Sequence, residues 1–274
     1  MRSIELTSLQ EASCKKNEAT VATVKLLLDN SLNAEKTVFV VEGKDDVDFY
    51  ASFLKTDSVC IYPDGNCAKH LVILNALNGN YGGRILAVKD ADFDRLEGRS
   101  IPFKNLLLTD AHDLEGMILM GGIPSLPDDD AKRCKTIELD ALYAELKDIS
   151  YLKWYNHANH IGLDFKGISL DLGFEAYLAA VMANTANAEN VNIGDVMAFR
   201  QRNPNVSLPE LCNGHDLFER IYVRAKCVNN ENFAKKPFFS RLRKSYTKEK
   251  FSTTFLFDSI TKWEDAYSKS IIEA

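Results

Sequence analysis

None of the six cysteines (Cys14, Cys60, Cys67, Cys134, Cys212, Cys227) forms a C-x-x-C pair. This argues against both a zinc ribbon and a disulfide framework, and predicts reduced, buried thiols. No apolar run reaches the roughly 18 residues needed to cross a bilayer. Residues 1–17 mix Arg2, Glu5, Glu11, Lys15 and Lys16 with apolar positions, so a secretory leader is not expected. A cytoplasmic protein with no membrane partner is the expectation that follows. The chain also lacks a G-x-x-x-x-G-K-[S/T] loop, which excludes ATP hydrolysis through a site of that kind. There is no internal repeat and no low-complexity tract.

With 274 residues, 46% hydrophobic and 26% charged, the chain can bury a full core as one large domain or two modest ones. Its net charge of -6 argues against nucleic acid, whose non-specific binding relies on phosphate neutralisation. The charge is unevenly spread, however. Lys235, Lys236, Arg241, Arg243, Lys244, Lys248 and Lys250 face the single acid Glu249 within residues 235–250, a local balance of +6 that leaves -12 for the rest. Phe238, Phe239, Tyr246 and Phe251 interleave with these cations, a combination that stacks bases while neutralising phosphates. Lys235, Lys236, Arg241, Arg243 and Lys244 are thus candidates for nucleic-acid binding; an amphipathic helix with a cationic outer face would give the same pattern.

Residues 18–28 have helical spacing and predict an N-terminal helix. From Lys36 the pattern becomes short apolar runs separated by helical stretches, the signature of βαβ units and a parallel sheet. Strands are expected over residues 37–41, 58–62, 84–88 and 106–108, with helices over 45–54, 67–77 and 112–120, the last stopping at Gly121-Gly122. Beyond Pro124, periodic segments such as residues 132–147 and 174–182 indicate a mainly helical half. The expected fold is α/β: a parallel sheet flanked by helices over residues 36–122, a helical segment before it (1–35) and a helical domain with a basic segment after it (123–274).

Two of the expected strands end on acids. V-F-V-V-E-G-K-D-D closes the first on Glu42, and R-I-L-A-V-K-D-A-D-F-D closes the third on Asp90, with Asp92 and Asp94 following at intervals of two. Carboxyl ends of parallel strands are where open α/β sheets bind ligands. Clustered carboxylates repel, and a divalent ion resolves the repulsion; hard oxygen ligands favour Mg²⁺ or Mn²⁺ over zinc. Such an ion polarises a phosphoryl oxygen while a carboxylate activates water. Glu115, in T-D-A-H-D-L-E, is a fourth acid that could hold a second ion or simply begin a helix. Asp46 is open to the same choice between ligand and helix cap. Lys44, Lys69, Lys89 and His215 are candidates for contact with phosphate, against readings as surface lysines and, for His215, a helix-start hydrogen-bonding residue.

E-G-K-D-D after the first strand and D-A-D after the third resemble the two acidic motifs of the TOPRIM superfamily, which includes topoisomerases, bacterial primases and OLD-type nucleases. T-D-A-H-D-L-E and N-G-H-D (residues 213–216) extend the resemblance to an OLD-like branch found in bacterial anti-phage systems, including the nuclease subunit of the PARIS system. The resemblance implies a metal-dependent nuclease with Glu42 as base or ligand, Asp46 as its acidic partner, and Asp90 and Asp92 as the metal pair. It implies a nucleic-acid substrate, RNA (tRNA included) or DNA, and a role as toxic effector. It further implies a homodimer and an OLD-like or ABC-type ATPase as partner. A catalytically silent module regulating such an ATPase is the alternative.

Overall fold

A computed structural model describes residues 8–65, 67–186, 191–229 and 232–273. In chain order it contains α1 (Ser8–Asp29), β1 (Thr37–Val41), α2 (Lys44–Tyr50), β2 (Val59–Pro63), α3 (Cys67–Tyr81), β3 (Ile85–Lys89), β4 (Leu106–Leu108) and α4 (Leu114–Leu119). Helices continue with α5 (Asp128–Cys134), α6 (Leu139–Asn159), α7 (Phe174–Asn184), α8 (Ile193–Arg202) and α9 (Leu208–Leu211). The last are α10 (Gly214–Asn229), α11 (Lys235–Lys244), α12 (Lys248–Phe251) and α13 (Phe255–Tyr267). The expected α/β class with a parallel sheet and a helical second half is what the chain adopts.

The chain divides into two compact units that interleave in sequence. Unit 1 takes residues up to Asp90, Ile101–Leu108 and everything from Lys248; unit 2 takes Ala91–Ser100 and Thr109–Thr247. Residues 8–35 and the C-terminal residues both belong with the sheet.

Unit 1 is built on a four-stranded parallel sheet of order β2-β1-β3-β4. All five residues of β1 are buried, so a run of β-branched and aromatic side chains, Thr37-Val38-Phe39-Val40-Val41, satisfies both faces of a central strand. Val38 and Val40, with Ile85 and Ala87 from β3, meet Val24 and Leu28 of α1 and Ile73, Leu74 and Leu77 of α3. On alternate positions, Phe39 meets Tyr50 at 5.2 Å between ring centroids. Tyr50 joins Phe49, Phe53 and Phe251 in an aromatic cluster.

Three expectations are corrected here. Residues 132–147 do not form one helix: α5 stops at Cys134, Lys135 caps it, and Ile137 turns back to bond the Cys134 carbonyl before α6 begins. The aromatics of the basic segment are not a stacking surface, since Phe238, Tyr246 and Phe251 are buried and half-buried Phe239 packs on Phe218 and Tyr222. Their apolar area holds the fold together. Among the cysteines, Cys134 and Cys212 are buried, and burial pushes each thiol up to about 11. Cys60 is half-buried and Cys227 exposed, contrary to expectation; Cys14 and Cys67 lie outside the residues whose side chains are described. Among the described residues, no helix is long and apolar enough to cross a membrane.

Phe251 tests the place of the C-terminal residues in unit 1. Its ring lies 4.7 Å from that of Phe53 and 5.7 Å from that of Phe257, and it is 1% exposed. Phe251→Ala should cost about 3–5 kcal/mol of stability through lost burial and a residual cavity, measured by urea denaturation. A change under about 0.5 kcal/mol, the range of ordinary surface substitutions, would contradict this packing.

Candidate functional site

In unit 1 the chain order runs outward from β1 in both directions, to β2 on one side and to β3 on the other. The boundary between β1 and β3 is thus the topological switch point, where crevices form at the carboxyl ends of strands. Glu42 follows β1 and Asp90 follows β3. The register pairs Val40 with Ala87, so two residues further along the strands Glu42 comes level with Lys89, the neighbour of Asp90. The Asp90 N–H donates to Glu42 Oε1 at 3.1 Å. Both acids are half-buried.

The Glu42 backbone is held on the β2 side. Asp64 N–H donates to the Val41 carbonyl at 3.0 Å and Gly65 N–H to the Glu42 carbonyl at 2.7 Å, which extends the pairing past the last registered residues, Val41 and Pro63. Gly65 has φ +80°, a left-handed conformation that costs glycine little. Lys69 Nζ donates to the Asp64 carbonyl, so this candidate phosphate contact closes the same turn. Asp46 Oδ2 accepts the Gly43 N–H at 2.7 Å and so caps the start of α2. Lys44 is exposed and Lys89 half-buried.

Asp92 and Asp94 belong to unit 2. Asp92 has φ +46°, a left-handed conformation that aspartate tolerates better than most residues, and its N–H donates to the His112 carbonyl at 2.7 Å. His112 is buried against the Phe93 ring; burial lowers its imidazole pKa, and the charge of Asp92 partly offsets this. Asp94 forms an ion pair with Arg99 at 3.7 Å, while its backbone carbonyl accepts the Arg99 N–H at 2.9 Å. These bonds give Asp94 a duty in its own turn.

T-D-A-H-D-L-E and N-G-H-D, about a hundred residues apart, come together in unit 2. Asp113 caps α4 by accepting the Gly116 N–H at 2.7 Å on one carboxylate oxygen, and accepts the Gly214 N–H at 2.8 Å on the other. Burial, then the charge of Glu115, pushes the Asp113 carboxyl up to about 7 against the pull of these amides. A Cβ on Gly214 would lie 2.1 Å from the Gly116 nitrogen and 2.2 Å from Asp113 Oδ1, so only glycine allows the approach. Glu115, 4% exposed, has a cation beside it: Arg243 donates through Nε at 2.9 Å and Nη2 at 2.6 Å to its Oε1. His215 Nε2 lies 3.7 Å from the other oxygen, with a side chain 62% exposed. Glu115, open in the sequence between a ligand for a second ion and a helix-start acid, lies in the first turn of α4 with Arg243 beside it.

Sequence reasoning missed these pairings. Arg241 is bound to buried Asp130, which also takes Arg133 at 2.8 Å. Lys235 pairs with Glu219 at 2.8 Å and Lys248 with Glu273 at 3.4 Å. Much of the +6 balance is therefore met by acids from distant positions. Lys236 and Lys244 are exposed and have no ion-pair partner among the described residues. Lys153 pairs with Asp216 beside a polar cleft of about 500 Å³ that His215, Arg220 and Lys235 also line. No local pattern marks Lys153, since its meaning lies in a partner 63 residues away.

Comparison with protein-family models, with curated proteins and with solved structures finds no match. Among the described residues, no group of three or more His, Cys, Asp or Glu side chains is gathered as a metal site.

Two measurements check the junction around Asp113. Gly214→Ala should lower stability by about 3 kcal/mol through overpacking, and an unchanged urea midpoint would contradict the close approach. The second concerns pH. An acid whose pKa is raised on folding holds its proton more tightly in the folded chain, so its contribution is full below its ordinary value of 3.8 and is lost as pH rises through about 7. Asp113→Asn should flatten the fall of stability across that interval by up to one proton. The same pH slope in both proteins would remove Asp113 as its source.

Proposed function

We propose that this chain is a metal-dependent phosphodiesterase acting on nucleic acid, with Glu42 and Asp90 as its central acids. The observation that carries the reading is the bond from the Asp90 N–H to Glu42 Oε1 at the switch point of the sheet. Asp92, two residues along the chain, is the further acid that the D-x-D spacing supplies. The donor set suits Mg²⁺ or Mn²⁺: it consists of carboxylates, with neither thiolate nor imidazole in the motif. Such an ion, when bound, supplies charge stabilisation at a phosphoryl oxygen.

The chain's own groups have separate tasks in this reading. The Glu42 carboxylate accepts a proton from the attacking water, and the Asp90 N–H fixes which oxygen is offered. Asp46 keeps the turn at Gly43 in place through its cap. Lys44 and Lys89 contact phosphate from either side of the acids in sequence, and Lys236 and Lys244 are the cations of the basic segment left for nucleic acid. Arg241 and Arg243 hold buried acids and are assigned to stability. The resemblance to the OLD-like TOPRIM branch supports an ATPase subunit as partner and a part in anti-phage defence.

The test uses the full chain with Mg²⁺ or Mn²⁺ and labelled RNA and DNA. Glu42→Gln and Asp90→Asn should each lower cleavage by about a hundredfold or more while keeping or slightly raising the melting temperature, because a repelling charge is removed. Full activity in both variants would make the acids structural. A wild-type protein that cuts neither polymer would leave the silent regulatory module as the better reading.

A further inference from the structure

Asp64 and His70 form a pair with no solvent-exposed side-chain area, His70 Nδ1 lying 3.5 Å from Asp64 Oδ2. Two ionisable groups removed from water are costly unless they meet one another, and an apolar pair of similar volume would often pack as well or better. What this pair does is visible in its neighbours. Asp64 opens the turn after β2, its N–H bonded to the Val41 carbonyl and its own carbonyl holding Lys69. Gly65, the next residue, donates to the Glu42 carbonyl at 2.7 Å, the shortest backbone contact of the turn. His70 lies in the first turn of α3, whose later residues Ile73, Leu74 and Leu77 are anchored in the core of unit 1. A continuous path thus runs from the rigid helix through His70, Asp64 and Gly65 to the backbone of Glu42.

We propose that the buried Asp64–His70 pair positions Glu42. This rests on the reading of Glu42 as a central acid, and it assigns to His70 a role that no motif marks. His70 and Asp64 are positioning residues: they fix the turn whose amide holds Glu42 from the β2 side, as the Asp90 N–H holds its carboxylate from the β3 side. With both in place, Glu42 presents one geometry to an ion. With the pair broken, the Gly65 amide opens and the acid wanders.

The experiment follows the Gly65 amide by hydrogen exchange and Mn²⁺ binding by electron paramagnetic resonance, both on the full chain. His70→Leu should speed Gly65 exchange and weaken Mn²⁺ binding, each by about tenfold, as a local opening would. Asp64→Asn, which keeps the size of the side chain beside His70 and removes only its charge, should move both by less. Leu77→Ala, a core change in the same helix, controls for stability alone and, at an equal loss of melting temperature, should alter neither. If His70→Leu does not fold, His70→Gln takes its place with the same expected direction. Equal effects from the His70 variant and Leu77→Ala, or an unchanged Gly65 amide, would overturn the positioning role. A wild-type protein that binds no Mn²⁺ would instead defeat the metal reading, and Gly65 exchange alone would then decide whether the pair holds Glu42.

Discussion

Parallel pairing of β1 with a neighbour on each side is the constraint from which the candidate site follows. A slip of β1 would draw flanking Lys36 or Glu42 into the buried sheet, and its two neighbours run the same way because helices cross over between them. The carboxyl ends of β1, β2 and β3 therefore open on one edge. The acids that follow β1 and β3 come level there through strand pairing, before any side chain of the site has made a bond.

The acids named by motif divide sharply once their partners are known. Asp46 caps a helix, Asp94 pairs with Arg99, Asp113 joins two helix starts and Glu115 holds Arg243. Each has a structural duty that accounts for its presence. Between Glu42 and Asp90 the contact is a backbone amide on a carboxylate oxygen, which fixes the orientation of the Glu42 side chain.

The strands were legible within about a residue because continuous runs such as Thr37-Val38-Phe39-Val40-Val41 suit only a buried strand flanked by turn residues. The end of α4 was legible too, from Gly121 and Gly122, both with positive φ. The partners of the charged residues were not legible. A cluster of cations in sequence looks like one surface, but Arg241 and Arg243 reach Asp130 and Glu115, more than a hundred positions earlier, and pairing at such separation leaves no periodic trace. The need for glycine at 214 was hidden for the same reason, since the atoms that forbid a Cβ come from residues 113–116.

The C-terminal residues return to the sheet of unit 1: Leu54 bridges to Ile272, Lys55 donates its N–H to the Ile271 carbonyl, and Phe251 fills the aromatic cluster. All of unit 2 from Thr109 to Thr247 is thus made before unit 1 can close. On a ribosome the strands that present Glu42 and Asp90 emerge before most of unit 2, yet residues that pack with them emerge after it. The order of synthesis withholds a finished unit 1 until residues beyond Lys248 are made, so the acids are carried through the making of unit 2 on an unfinished scaffold.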